Sequence, residues 1–230
     1  TLFRSREADT DGHGTHVMGI AAGDGSSTGN GQPGDQYIGV APRADIINVA
    51  TDFSTTGVID GVNYIFQKAA DLGKDAVVNL SLGNQFGAHD GTETFDTALD
   101  AITGAGRILV VAAGNEGGQS LHAEQLVPPG GGDQTITFSV PTYTANSGAS
   151  NDFVVIDAYY PGADNLTVTV TSPRGTSNLG PVAKGATGQK TGTTATDGAI
   201  YVENGASAAP GGDTNIYIQI WDYNQARYPR

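Results

Sequence analysis

The stretch DAVVNLSLGNQFGAHDGTETFDTALDAITGAGRILVVAAGNEG, residues 75–117, decides how this chain is read. Its two ends, DAVVNLSL (75–82) and RILVVAA (107–113), are short, β-branched and apolar almost throughout. That is the composition of strands covered on both faces. Between them Phe95, Ala98, Leu99 and Ile102 fall at i, i+3, i+4 and i+7, a helical stripe closed by Gly104. Upstream the pattern repeats: ADIINVA (44–50) reads as a strand, and Val58, Val62, Ile65, Phe66 and Ala69 form a second helical stripe stopped by Gly73. A β-α-β-α-β run at about thirty residues per unit predicts a parallel sheet with right-handed crossovers. In such sheets functional groups gather beyond the carboxyl ends of the strands.

Downstream the period changes. TITFSV (135–140), DFVVIDAYY (152–160), LTVTVTS (166–172), AIYVEN (199–204) and NIYIQIWDY (215–223) alternate apolar with polar residues. Alternation broken by Gly, Pro, Ser and Asn turns predicts an antiparallel sheet or sandwich. The two prolines and three glycines of VPPGGGD (127–133) make a linker. The expected organisation is therefore an α/β part over 1–127 followed by an antiparallel β-sandwich over 128–230.

Composition limits the partners. Acidic residues outnumber basic ones 24 to 11, a formal charge of −13, so a polyanion such as nucleic acid is repelled. With no cysteine, disulfide scaffolds, thiol catalysis and cysteine-ligated metal sites are excluded. The apolar runs are far too short for a membrane span. The start at Thr1, without a secretion-signal pattern, reads as a mature product or a piece of a longer one. The loop GDGSSTGNGQPGDQ (23–36) reads as a solvated surface segment. Its Asp24 and Asp35 offer oxygen ligands to a calcium ion, although the spacing is not that of an EF-hand.

The chemistry starts at DTDGHGTHVMGIAAG (9–23), where His13 and His16 lie three positions apart. A histidine beside glycines is by itself an ordinary turn residue. A shared metal is the second reading, but H-E-x-x-H is absent and only His89 and His122 remain as further imidazoles, so no metal site is expected. A third reading comes from laying four segments together: GHGTHVMGIAAG (12–23), IGVAP (38–42), VVNLSLG (77–83) and VVAAGNEG (110–117). In order and spacing they resemble the subtilisin-like serine peptidases, the subtilases of peptidase family S8.

The resemblance implies roles residue by residue. His13 matches the general base, whereas His16 matches a non-catalytic histidine expected to pack on a buried helix with Val17, Met18 and Ile20. Gly12 and Gly14 are expected where a neighbouring backbone or substrate approaches closely. Asn115 matches the asparagine that donates to the developing oxyanion, an interaction aimed at the transition state. Ser81, Leu82 and Gly83 match the segment along which substrate is laid as an added strand. Ala112, Ala113 and Gly114 match the opposite wall, and Glu116 a pocket-mouth position where a carboxylate favours a basic residue before the scissile bond. No cofactor is required for such chemistry. A protein or peptide substrate and a secreted or cell-envelope location are implied.

Two partners of His13 are missing. Upstream there is only TLFRSREADTDG, without an apolar strand ending in D-[ST]-G; Asp9 and Asp11 are too near His13 and read as surface or capping residues. The only G-T-S, Gly175–Ser177, continues as Asn-Leu and not Met-Ala, and lies at a strand-to-turn junction. It resembles the jelly-roll domains found beside subtilase catalytic domains, so Ser177 reads as a turn residue. The expectation is a central fragment, carrying base and oxyanion donor without nucleophile or orienting acid and inactive alone. The alternative is a non-catalytic module that binds protein or glycan. The incomplete parallel sheet is further expected to leave apolar edges, open to self-association.

Overall fold

The computed structural model describes residues 9–27, 29–148, 150–191, 197–208 and 210–222. The chain divides into two compact units. The first holds the chain up to Asn84 together with Ala98–Gly114, and the second Gln85–Thr97 together with the chain from Asn115.

In the first unit, helix α1 spans His13–Ala22 and helix α2 Thr55–Asp71. The α2 stripe buries Val58, Val62, Phe66 and Ala69. Ser54 caps its start, the hydroxyl accepting from Gly57 N at 3.0 Å. Gly73, at φ +64, ends it: Gly73 N donates to Ala70 O and Lys74 N to Ala69 O, the paired bonds of a Schellman stop. Strand β1 (Ala76–Leu80) runs parallel to β2 (Arg107–Val111), in register from Ala76↔Arg107 to Leu80↔Val111. Val78 and Leu80 of β1 are buried on the side against which α2 packs. Helix α3 (Thr94–Ile102) lies between these strands in sequence and buries Leu99.

Three expectations for this half need correction. ADIINVA (44–50) forms no strand. It is held through side chains, Asp45 to Lys74 and Val49 against Gly61 of α2, and not through a backbone ladder. The strands are also not covered on both faces: Val77, Ile108 and Val110 share the face away from α2 and are 67 %, 51 % and 48 % exposed. A parallel ladder pairs these residues on one side, and among the described residues no element packs there. Finally, α1 buries no residue, and His16 is exposed and not packed. Its backbone neighbours, residues 39–41, meet only its C-terminal end.

The second unit is antiparallel. A four-stranded sheet has the order β3-β8-β7-β6, from β3 (Phe153–Tyr160), β6 (Ala186–Lys190), β7 (Ala199–Ala208) and β8 (Thr214–Trp221). A second sheet pairs β4 (Thr167–Val170) with β5 (Leu179–Ala183). The two meet over one apolar core of Val182, Ile200, Val202, Ile218 and Ile220, joined by Ile156, Val168, Val170, Leu179 and Ile216. Alternation explains this, because Ile216, Ile218 and Ile220 point inward while Asn215, Tyr217 and Gln219 face outward. The expected strand at 135–140 is not formed; Ile136 and Phe138 stay about half exposed. Alternation marks a face, but only a ladder partner makes a strand.

Candidate functional site

The start of α1 is organised by a carboxylate. Asp9 accepts from Gly12 N and Thr15 N, each at 2.7 Å, and from Thr15 Oγ1 at 2.7 Å. These bonds favour the ionised form, the Thr15 hydroxyl foremost, and hold the Asp9 pKa down at about 2. Asp11 accepts from His13 N at 3.3 Å. Gly12 takes φ +86 with open space where a Cβ would stand. Among the described residues, then, what Gly12 supplies is its positive φ. His13, the first residue of the helix, is exposed.

The motif IGVAP acts at the other end of this helix. Gly39 N donates to Gly23 O, Val40 N to Ile20 O and Ala41 N to Ala21 O, at 2.8–3.0 Å. These bonds satisfy carbonyls that a helix C-terminus leaves without partners. A Cβ on Gly39 would stand 2.5 Å from Gly23 N, so only glycine permits the approach.

Within the same unit the two wall segments come together. Ser81–Gly83 continues directly from β1 and Ala112–Gly114 from β2, both past the carboxyl ends of adjacent parallel strands. Ala112 N donates to Leu80 O at 3.0 Å, which holds the two exits side by side. Ser81 and Leu82 are half-buried, while Gly83, Ala113 and Gly114 are exposed.

Asn115 and Glu116 belong to the second unit. Asn115 is exposed, and its side-chain amide makes no hydrogen bond among the described residues. Glu116 Oε2 accepts from Asn115 N at 2.8 Å and from Gln85 Nε2 at 3.3 Å. Gly87 N in turn donates to Asp157 Oδ2 at 2.9 Å. Asp157 Oδ1 accepts from Asn215 Nδ2 at 2.6 Å, and Tyr159 Oη lies 3.3 Å from Oδ2 as a donor. Burial first, then the charges of Asp157 and Glu93, push the Tyr159 phenol up to about 12, so it keeps its proton for that bond. Reading for motifs missed Gly87, Gln85 and Asp157. The one local signal is a carboxylate in the middle of the apolar run FVVIDAYY.

Ser177 is fully buried. Its Oγ accepts from Asp197 N at 3.2 Å and its N donates to Ser172 Oγ at 3.0 Å. Asp24, in the glycine-rich loop, accepts from the N and Oγ of Ser26. Concave surfaces lie at the start of α2, lined by Val49, Asp52 and Tyr64, and beside β3, lined by Val140, Tyr143 and Phe153. Neither includes His13 or Asn115.

The profile of the Subtilase family matches residues 3–210. The chain belongs to the subtilase family. Among subtilases it is 31 % identical over 173 residues to Subtilisin-like protease 3 of Pseudogymnoascus destructans, spanning 72 % of this chain and 38 % of that protein. It is 30 % identical over 178 residues to the Cuticle-degrading serine protease of Arthrobotrys oligospora, spanning 75 % of this chain and 38 % of that protein. The chain thus spans about two-fifths of the length of these relatives. In fold it is similar to the CspB protease of Clostridium perfringens, with a TM-score of 0.64 at 22 % identity over 96 % of this chain and 45 % of that one. Among the described residues of this subtilase no helix is long and apolar enough to cross a membrane.

Proposed function

We propose that this chain carries part of the machinery of a serine endopeptidase. The observation that supports it best is that Ser81–Gly83 and Ala112–Gly114 leave the carboxyl ends of the adjacent parallel strands β1 and β2, with Ala112 N bonded to Leu80 O where they part. Two backbone segments leaving adjacent parallel strands, one half-buried at Ser81 and Leu82 and the other exposed, form the walls of a channel that takes an extended peptide as an added strand. In this reading the first unit is a portion of a subtilisin-like parallel-sheet domain, within residues 1–127. The second contains a jelly-roll-like domain within residues 128–230.

The roles follow from the chemistry of acyl transfer. A serine hydroxyl attacks the scissile carbonyl, His13 takes its proton and returns it to the leaving amine, and a carboxylate orients the imidazole. As the carbonyl oxygen becomes an anion, the Asn115 amide, exposed and without a hydrogen-bond partner among the described residues, donates to it. Ser177 is not the nucleophile, since its buried hydroxyl is already an acceptor for Asp197 N. Nucleophile and orienting acid are therefore assigned to sequence outside these 230 residues, and this chain alone is inactive. The substrate is protein or peptide, the setting extracellular, and no cofactor enters the chemistry; calcium at the 23–36 loop would be structural.

The test is the protein expressed from its full gene. Wild type should hydrolyse peptides, and His13→Ala should abolish turnover with an unchanged circular dichroism spectrum. In subtilisin, of this same family, losing the histidine costs about 2 × 10⁶ in kcat. An active His13→Ala variant would refute the assignment, and an inactive wild type would favour a non-catalytic binding module.

A further inference from the structure

We infer that Asp9 is a positioning residue for His13: its carboxylate spans the turn that carries the base and fixes where helix α1 begins. The inference rests on the peptidase reading, in which His13 is the base, and both residues lie in the first unit. A helix leaves its first amides without partners inside the helix, and the side chain of the N-cap residue ordinarily accepts from one of them. In α1 the N-cap is Gly12, which has no side chain to offer. The next residue, His13, is the first of the helix, so its place and direction depend on how firmly that start is held.

Asp9 supplies what the glycine lacks. Its Oδ1 accepts from Gly12 N, immediately before His13, and its Oδ2 accepts from Thr15 N and Thr15 Oγ1, two residues after it. One carboxylate therefore brackets the base with charge-assisted bonds, each 2.7 Å long. With a pKa lowered to about 2 it stays ionised, and a full acceptor, throughout the range in which an imidazole ordinarily exchanges its proton. Gly14 completes the fit: a Cβ there would stand 3.6 Å from Asp9 Oδ2, so the carboxylate lies against the backbone that follows the base. Asp11 adds a longer bond, 3.3 Å, from His13 N. The far end of α1 is bound by residues 39–41, so loosening the near end displaces His13 first. A general base works only within hydrogen-bond reach of the proton it takes, and a misplacement of about 1 Å can cost up to 10²-fold in rate.

In the full-length enzyme Asp9→Ala should lower kcat, counted per site titrated with a fluorophosphonate, by roughly tenfold to 10²-fold. KM for a peptide should stay within about twofold, because the walls at Ser81–Gly83 and Ala112–Gly114 are untouched. A role in folding alone would reduce the number of titrated sites and not the turnover of each. Asp9→Asn should restore most of the loss, since its one oxygen still accepts from both groups of Thr15 and only the Gly12 bond goes. Thr15→Val, which removes the hydroxyl and keeps the amide, should cost about threefold. In the 230-residue chain itself, amide exchange at Gly12 and Thr15, read by NMR, should accelerate roughly tenfold in Asp9→Ala, with β1 and β2 unchanged. A kcat per site equal to wild type, a loss carried by KM, or an Asp9→Asn variant as slow as Asp9→Ala would overturn the inference. An inactive wild type with accelerated exchange in Asp9→Ala would sink the peptidase reading and leave the clamp, whereas unchanged exchange would sink the clamp whatever the enzyme does.

Discussion

Replacing Asn204 by alanine should be among the most damaging single changes in the second unit. Asn204 is fully buried on β7 and makes three hydrogen bonds: Tyr160 Oη donates to its Oδ1 at 2.9 Å, and its Nδ2 donates to Leu166 O and Val182 O, each at 3.0 Å. These partners come from the end of β3, the approach to β4 and the middle of β5, so one amide ties both sheets. Truncation strands a hydroxyl and two carbonyls in the core. At about 1–1.5 kcal/mol per lost bond, with more where a group stays desolvated, the cost is about 3–5 kcal/mol. Native domains hold only about 5–15 kcal/mol in total. At roughly 3 °C per kcal/mol, Tm should fall roughly 10–15 °C. Urea unfolding followed by Trp221, on β8, reports this unit directly. Asn204→Val separates causes, because it refills the space without restoring a bond. It should cost about as much as alanine, and Tyr160→Phe only about 1 kcal/mol. A valine variant close to wild type would show that volume matters there and hydrogen bonding does not.

The Asp9 carboxyl should titrate by NMR with a midpoint near 2, since Thr15 and Gly12 bind its ionised form. The sign follows: its support of the α1 start is full above about pH 4 and disappears as pH falls through 2, and an ordinary carboxylate midpoint would refute it. Ser177 should take up no fluorophosphonate in this chain; Ser177→Ala should instead destabilise the 172–177 turn by about 1–2 kcal/mol, because Asp197 N loses its acceptor. Covalent labelling of Ser177 would contradict both statements.

Helices and paired strands were legible where the signal is local. The α2 stripe and its Gly73 stop needed only their own residues, as did the α3 stripe from Phe95 to Ile102. The missed strands are instructive. LGPVA and ATGQK, now β5 and β6, contain glycine, proline and polar residues that argue against strands. They pair because β4 and β7 offer ladders, with Lys184 and Gly185, at φ +79, turning the chain between them. ADIINVA and TITFSV fail for the reverse reason, having the pattern without a partner. At the candidate site the motifs named His13, Asn115 and the two walls, because each motif is contiguous. Asp157 escaped because its partner Gly87 is 70 residues away.

The chain's acidity, first useful for excluding polyanions, has a second meaning. Asp24, Asp52 and Asp90 each precede a hydroxyl residue by two positions, and each accepts both the N–H and the hydroxyl of that residue: Ser26, Ser54 and Thr92. All three pKa values are lowered by these bonds. Buried Asp222 does the same at larger scale, accepting the N–H groups of Ser150, Asn151 and Asp152. A chain with 34 glycines has many turns whose amides no helix or sheet satisfies. Carboxylates are the side chains that accept most hydrogen bonds, and they accept them best when ionised. Much of the negative charge is therefore committed to closing turns, and Asp157 extends the same chemistry across 70 residues to the amide of Gly87.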